Sequence, residues 1–188
     1  MSVDVRQAAA FEERPDARPV GAPDGGEGVE IVEVPFDDAD AVMIRAEAVA
    51  ELGRRYGGDD DAHEVIDPAT IVMTLLARVD GVTVGGGSIR DVSGTDDGRG
   101  RGTLHPAATG EVKRVIVLPG HRGRGIARTL MAELERAVRQ VGFRRLVLET
   151  GTAQPEAVAL YTTLGYEPIE SYGRYAGEAD QLCYGKPL

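Results

Sequence analysis

Apolar positions along the chain change period several times, and each change marks an element. Val29 to Val34 reads as a short strand ended by Pro35. Asp37, Asp38 or Asp40 can cap the helix that follows, in which Val42, Ile44, Val49 and Leu52 point inward as far as about Tyr56, where Gly57-Gly58 stops it. Asp59-Asp60-Asp61 opens a polar segment with room for a short helix near residues 60 to 66. Ile71 to Val79 and Val82 to Val92 are strands around Asp80-Gly81, a two-residue hairpin turn. Gly85-Gly86-Gly87 within the second predicts a bulge or a close backbone approach. Val112, Val115, Ile116 and Val117 make a β-branched run, broken by Leu118-Pro119-Gly120. Ile126, Ala127, Leu130, Met131, Leu134, Ala137, Val138 and Val141 then follow a 3.6 period, with Glu133, Glu135, Arg136, Arg139 and Gln140 on the polar face of that helix. Arg144 to Glu149 is a strand that buries Leu146, Val147 and Leu148. Pro155 to Leu164 is a helix whose first turn suits Pro155, with Ala157, Leu160, Tyr161 and Leu164 on one face. Tyr166 to Ile169 and Gln181 to Pro187 form a final antiparallel pair.

Two stretches carry no period. Residues 1–28, rich in Pro, Gly and acids, cannot bury enough surface to offset their ordering entropy and read as a disordered tail ahead of one domain, 29–188. Ser93 to Gly110 reads as a flexible hairpin loop; its Arg99 and Arg101 precede no helix and make no phosphate site. The net charge of −10 is uneven: residues 1–70 hold 18 acids and 6 bases, the rest 13 acids and 15 bases. An acidic chain of this kind argues against nucleic acid as a partner. Cys183 is the only cysteine, His63, His105 and His121 are scattered as ordinary surface histidines, and no cluster has metal-ligand spacing. With no apolar run near transmembrane length and no signal-peptide pattern, a cytoplasmic protein without a membrane partner is expected.

Arginines gather between the β-branched run and the long helix. A glycine-rich turn entering a helix N-terminus presents unpartnered N–H groups where the helix dipole favours negative charge, so a phosphate-bearing ligand is expected there. The Walker pattern fails, because Ile126 and Ala127 follow Gly125 where Lys and Ser or Thr belong. The dinucleotide-binding turn fits poorly: Arg128 stands at the third glycine, and five residues separate Val117 from Gly123.

The remaining pattern, Arg-x-x-Gly-x-Ala from Arg122 to Ala127, resembles the acetyl-CoA pyrophosphate loop of the GNAT superfamily of N-acetyltransferases, Gln/Arg-x-x-Gly-x-Gly/Ala. The stretch from Gln154 to Tyr166, with Ala157, Leu160, Tyr161, Leu164 and Gly165, is similar to that family's Asn-x-x-Ala-x-x-Leu-Tyr-x-x-Leu-Gly-Phe; Gln154 replaces the Asn and Tyr166 the Phe. The resemblance spans roughly residues 29 to 188. It implies an α/β fold with a mixed, mostly antiparallel sheet of six to seven strands, flanked by helices and splayed at the cofactor site. It also implies acetyl-CoA as co-substrate and transfer of its acetyl group to a primary amine, small or on a peptide, by direct attack in a ternary complex. A homodimer is compatible with it. The competing class is a catalytically silent acyl-CoA sensor.

Carried over by resemblance, Val115, Ile116 and Val117 offer backbone groups to the pantetheine arm, and one amide there can serve an oxyanion. Arg122, Gly123, Arg124, Gly125, Ile126, Ala127 and Arg128 wrap the pyrophosphate; Gln154 stands at a cofactor-contacting position. Acetylating an amine requires removing a proton from a group whose pKa lies near 10.4, and the departing thiolate must be stabilised. Two acids stand where relatives keep a base. Glu111, eleven residues before Arg122, matches the histone-type enzymes and ranks first, and Glu149 matches the ribosomal-protein type. The plainer alternatives are a Glu111 ion pair with Lys113 or Arg114, and a loop cap by Glu149. Tyr161 matches the family's general acid, or is a helix-packing tyrosine. An acceptor entering opposite the cofactor would meet Asp59, Asp60, Asp61, Glu64 and Asp67 on one side and Glu170, Glu178 and Asp180, with Tyr172 and Tyr175, on the other. Those groups suit a cationic amine, or are acids on loops that merely solvate an acidic protein.

Overall fold

A computed structural model describes residues 18–19, 28–57 and 66–188. The expected tail, apart from Arg18, Pro19 and Gly28, lies outside the described residues, as do Asp59, Asp60, Asp61, Glu64 and the short helix expected about them. The elements are β1 (Arg18–Pro19), β2 (Val29–Glu33), α1 (Ala39–Tyr56), β3 (Ile71–Val79), β4 (Val82–Asp91) and β5 (Thr109–Val117). They continue with α2 (Ile126–Gln140), β6 (Arg145–Gly151), α3 (Pro155–Thr163), β7 (Glu167–Pro168) and β8 (Gln181–Pro187). Among the described residues the strands form one sheet in the order β1-β2-β3-β4-β5-β6-β8-β7. Every pairing is antiparallel except β5 with β6. That parallel pair needs a crossover, and α2 supplies it. The expected mixed sheet is present, with the two-residue β1 added at its edge.

Neighbouring Leu75 and Leu76 in β3 point to opposite faces and pack in different cores. Leu76 joins Val32, Val34 and Ile116 under α1; Leu75 joins Leu130, Met131 and Leu134 of α2. Asp38 caps α1, accepting from Asp40 N (2.9 Å) and Ala41 N (3.2 Å). The helix ends at Gly57 with φ 72°. Its buried stripe is Ala41, Ile44 and Ala48, whereas Val42, expected inside, is 49% exposed. At 100° per residue, a stripe through Ala41 and Ile44 leaves Val42 on the outer side. On α2 the expected polar face is partly wrong. Glu133 and Glu135 are buried, paired with Arg136 (2.8 Å) and with Lys186 of β8 (2.6 Å), while Val141, past the helix end, is exposed.

Residues 93–108 are not a loose hairpin loop. Asp97 is buried and ion-paired with Arg99, its carbonyl accepts from Gly173 N (2.7 Å), and Arg99 and Arg101 both reach Glu170. The β4–β5 loop is thereby fastened to the β7–β8 loop. His105, expected at the surface, packs edge-on against Tyr172 at 5.2 Å, and burial lowers its pKa.

The centre of the sheet positions the site. β5 and β6 pair only from Thr109–Arg145 to Val112–Leu148, then part, although both strands run on to Val117 and Gly151. Against β4, the register steps from Ser88–Lys113 to Gly86–Ile116, so two β5 residues, Arg114 and Val115, stand opposite Gly87. Arg114 takes φ 55° at this bulge. The close backbone approach is at Gly85, where a Cβ would lie 2.6 Å from the Ile116 carbonyl oxygen. The expected bulge and close approach are both found.

Candidate active site

Where β5 and β6 diverge, a cavity of about 700 Å³ opens between α1, the turn before α2, α3 and the β7–β8 loop. β5 contributes Val112 to Val117 to its wall, so Val115, Ile116 and Val117 stand on it as expected. Their backbone on the β6 side meets open space instead of a neighbouring strand. Ala157 and Leu160 of α3 face them across the gap.

One end of the cavity is built for an anion. A 3₁₀ turn at Pro119–His121 carries the chain out of β5, and Gly125, at φ 79°, starts α2 with no side chain capping its N–H groups. Arg122, Gly123, Gly125, Ile126, Ala127 and Arg128 line the wall here; Arg124 does not, turning instead toward His121 Nδ1 at 3.5 Å. The Arg122 side chain braces the turn: Nε donates to the Val117 carbonyl (2.8 Å) and the guanidinium pairs with Glu51 of α1. Glu51 also takes Arg55 (2.6 Å), which in turn reaches the Ala153 carbonyl (2.8 Å) and Glu156. Burial alone would raise the Glu51 pKa; the bonds from Arg122 and Arg55 outweigh it and hold the carboxyl below its usual range. Gln154 lines the cavity and donates to Tyr56 Oη at 3.3 Å.

The three expected catalytic residues separate into two groups. Glu149 and Tyr161 both line the cavity. Glu149 accepts from Gln181 Nε2 at 3.0 Å. Tyr161 is buried, and burial pushes its pKa up to about 12, so the phenol stays protonated at neutral pH. Glu111 is outside the cavity wall and 0% exposed. Its carboxylate accepts from Arg90 and from Tyr172 Oη (3.2 Å), with Lys113 Nζ 3.6 Å away. This is the ion pair with Lys113 that was the plainer alternative to a base, enlarged by two partners from elsewhere in the chain.

Among the described residues, the acidic mouth is smaller than its sequence suggests. Asp67 caps a short 3₁₀ turn, Glu170 is taken by Arg99 and Arg101, and Tyr172 is buried. Tyr175, Glu178 and Asp180 do line the cavity, together with Glu149. Glu51, Tyr56 and Gln181 are site residues that the sequence alone did not single out. They lie in no motif and reach the cavity only through the packing of α1 and the pairing of β8 with β6.

A parted parallel strand pair beside an uncapped, glycine-started helix makes a slot with an anion-binding end. The profile of the acetyltransferase (GNAT) family matches residues 45–166, and the chain belongs to that family. It is 32% identical over 161 residues to an IAA acetyltransferase of Azospirillum brasilense, an alignment covering 83% of this chain and 95% of that one. A crystal structure from Klebsiella pneumoniae superposes with TM-score 0.66 at 29% identity, covering 85% of this chain and 97% of that one. The PaiA N-acetyltransferase of Thermoplasma acidophilum, solved with coenzyme A, shares the fold at TM-score 0.60 and 13% identity, over 85% and 99% of the two chains. The chain is an acyltransferase with acetyl-CoA as co-substrate. The residues present fit that donor: N–H groups and arginines at the phosphate end, and a slot between Val115, Val117, Ala157 and Leu160 for an extended arm. No helix among the described residues is long and apolar enough to cross a membrane.

Proposed function

We propose that this protein acetylates a primary amine in a ternary complex, with Glu149 as the base and Tyr161 as the donor to the leaving sulfur. One observation carries this reading: Glu149 and Tyr161 share the cavity wall, while Glu111 is sealed behind it by Arg90, Tyr172 and Lys113. Acetyl-CoA supplies the acyl group as a thioester. The Glu149 carboxylate accepts the proton that the ammonium must lose, directly or through one water. Backbone N–H groups of β5 left without a strand partner can meet developing charge on the carbonyl oxygen. The neutral amine forms the new N–C bond as the C–S bond breaks. The Tyr161 phenol, its pKa pushed up to about 12, hydrogen-bonds the departing thiolate, which takes up the second proton shed by the nitrogen. Glu111 holds Arg90, Lys113 and Tyr172 together and acts as a structural anchor.

Thiol release from acetyl-CoA across a panel of primary amines tests the reaction. Glu149→Gln is expected to lower kcat by roughly 10²-fold at neutral pH, with the deficit shrinking as pH rises and the amine deprotonates unaided. Glu111→Gln is expected to lower thermal stability, leaving that pH dependence in place. If Glu111→Gln instead shows the pH-dependent loss and Glu149→Gln does not, the base is Glu111.

A further inference from the structure

We propose that Gln181, the first residue of β8, is a positioning residue for Glu149, holding one carboxylate oxygen in place in the cavity and favouring its charged form. The inference rests on the reading of Glu149 as the base. Gln181 Nε2 donates to Glu149 Oε2 (3.0 Å) and to the Tyr172 carbonyl (2.7 Å), while its Oε1 accepts from Ser171 Oγ. This arrangement has one orientation. Flipping the amide would set its oxygen against a carbonyl and a carboxylate, two acceptors with no proton between them. On the other side of the carboxylate, Glu149 Oε1 lies against Gly173, at φ 78°, where any Cβ would collide with it. The carboxylate is thus clamped between the β7–β8 loop and the start of β8. That same loop is fastened through Gly173 N to the Asp97 carbonyl.

The clamp also answers an electrostatic need. Tyr175, Glu178 and Asp180 of the loop, Lys113 and Arg114 of β5, Glu51 and Tyr56 of α1, and Tyr161 of α3 line the same cavity. Tyr172 and Cys183 lie close enough for Glu149's charge to help raise their pKa values, after the larger effect of burial. Glu178 and Asp180 add negative charge, which favours a protonated Glu149 and hence an inactive base, whereas Glu51 is offset by Arg122 and Arg55. A donated N–H from Gln181 acts in the opposite direction, alongside Lys113.

The test compares pH profiles of kcat/KM for the wild type, Glu149→Gln, Gln181→Met, Gln181→Glu and Ser171→Ala, with acetyl-CoA affinity measured by calorimetry as a control on folding. Gln181→Met keeps the side-chain length and loses the donor. It is expected to lower kcat/KM about tenfold at neutral pH and to move the acid limb up by about one pH unit, with acetyl-CoA affinity changed less than about twofold. Gln181→Glu puts a second carboxylate beside the first and should move the limb further. Ser171→Ala removes an anchor of the amide and should shift it in the same direction by less. If the acid limb in Glu149→Gln becomes that of the amine alone but all three clamp variants overlay the wild type, the positioning role is overturned and the base stands. If Glu149→Gln keeps the wild-type limb, the base reading itself falls. Should Gln181→Met fail to fold, Gln181→Glu and Ser171→Ala decide by the same criterion.

Discussion

Tyr161 shows how one side chain can serve packing and chemistry together. Its ring packs edge-on to Tyr166 at 5.8 Å, and its burial pushes the phenol up to about 12. Removing only the hydroxyl in Tyr161→Phe leaves the ring contact intact, so the fold should survive while kcat falls by roughly 10²-fold. The same variant has a stability signature. The phenol's folded pKa lies above its ordinary value of 10.0, so the advantage of keeping it neutral is complete below about pH 10 and is lost as pH rises toward 12. Urea midpoints should therefore decline less between about pH 10 and 12 in Tyr161→Phe than in the wild type. Identical declines would mean that the phenol is not buried as described, and unimpaired turnover would remove it from the mechanism.

At the scale of elements, the anion site depends on how α2 begins. Gly125 holds φ 79°, and a Cβ built there meets nothing within 4 Å, so steric bulk is not what a substitution would add. Backbone conformation and charge are the two terms left, and two variants separate them. Asn tolerates the left-handed region and carries no charge, whereas Asp adds a negative charge beside the phosphates at similar size. Calorimetry should find acetyl-CoA bound within several-fold of wild type by Gly125→Asn, and at least about tenfold more weakly by Gly125→Asp. Equal losses in both would show that strain, not charge, governs the turn. The bulge at Arg114 and the parting of β5 from β6 belong to this scale too. They free the β5 backbone, and no single side chain creates them.

For the whole molecule, the distribution of charge is what matters. Across the cavity from the cationic turn, Glu149, Glu178 and Asp180 share the wall with Tyr175. A cationic acceptor would be drawn to that side by charge and could rest on the ring. Among amines of similar size, di- or polycationic ones are expected to show the lowest KM. That KM should rise between low salt and about 0.3 M, while the KM for acetyl-CoA does not change in parallel. Neutral or anionic acceptors turned over best at every ionic strength would reduce these carboxylates to solvated surface.

Local pattern determined much of this protein. The Asp80-Gly81 hairpin and the strand–turn–helix from Val112 to Gln140 with its anion-binding turn could be read from period and spacing, because each is set by contacts between residues near in sequence; resemblance to the family then made that turn a cofactor loop. The pair of candidate bases came from resemblance to the family. Which of them faces the cavity was decided by tertiary structure alone. Glu111 and Lys113 are two residues apart, but Arg90 and Tyr172, which complete the buried cluster, arrive from β4 and from the β7–β8 loop. Glu149 stood in the sequence as a candidate base or a loop cap; only the tertiary structure brings Gln181 of β8 to it and sets Gly173 of the loop behind it. Burial of Glu133 and Glu135 was equally invisible, since a helical period assigns charged residues to solvent and cannot know that Lys186 waits across the core. A sequence records the chemical groups and their local geometry. The long-range pairing of strands decides which groups meet, because a partner dozens of residues away leaves no mark on the local pattern.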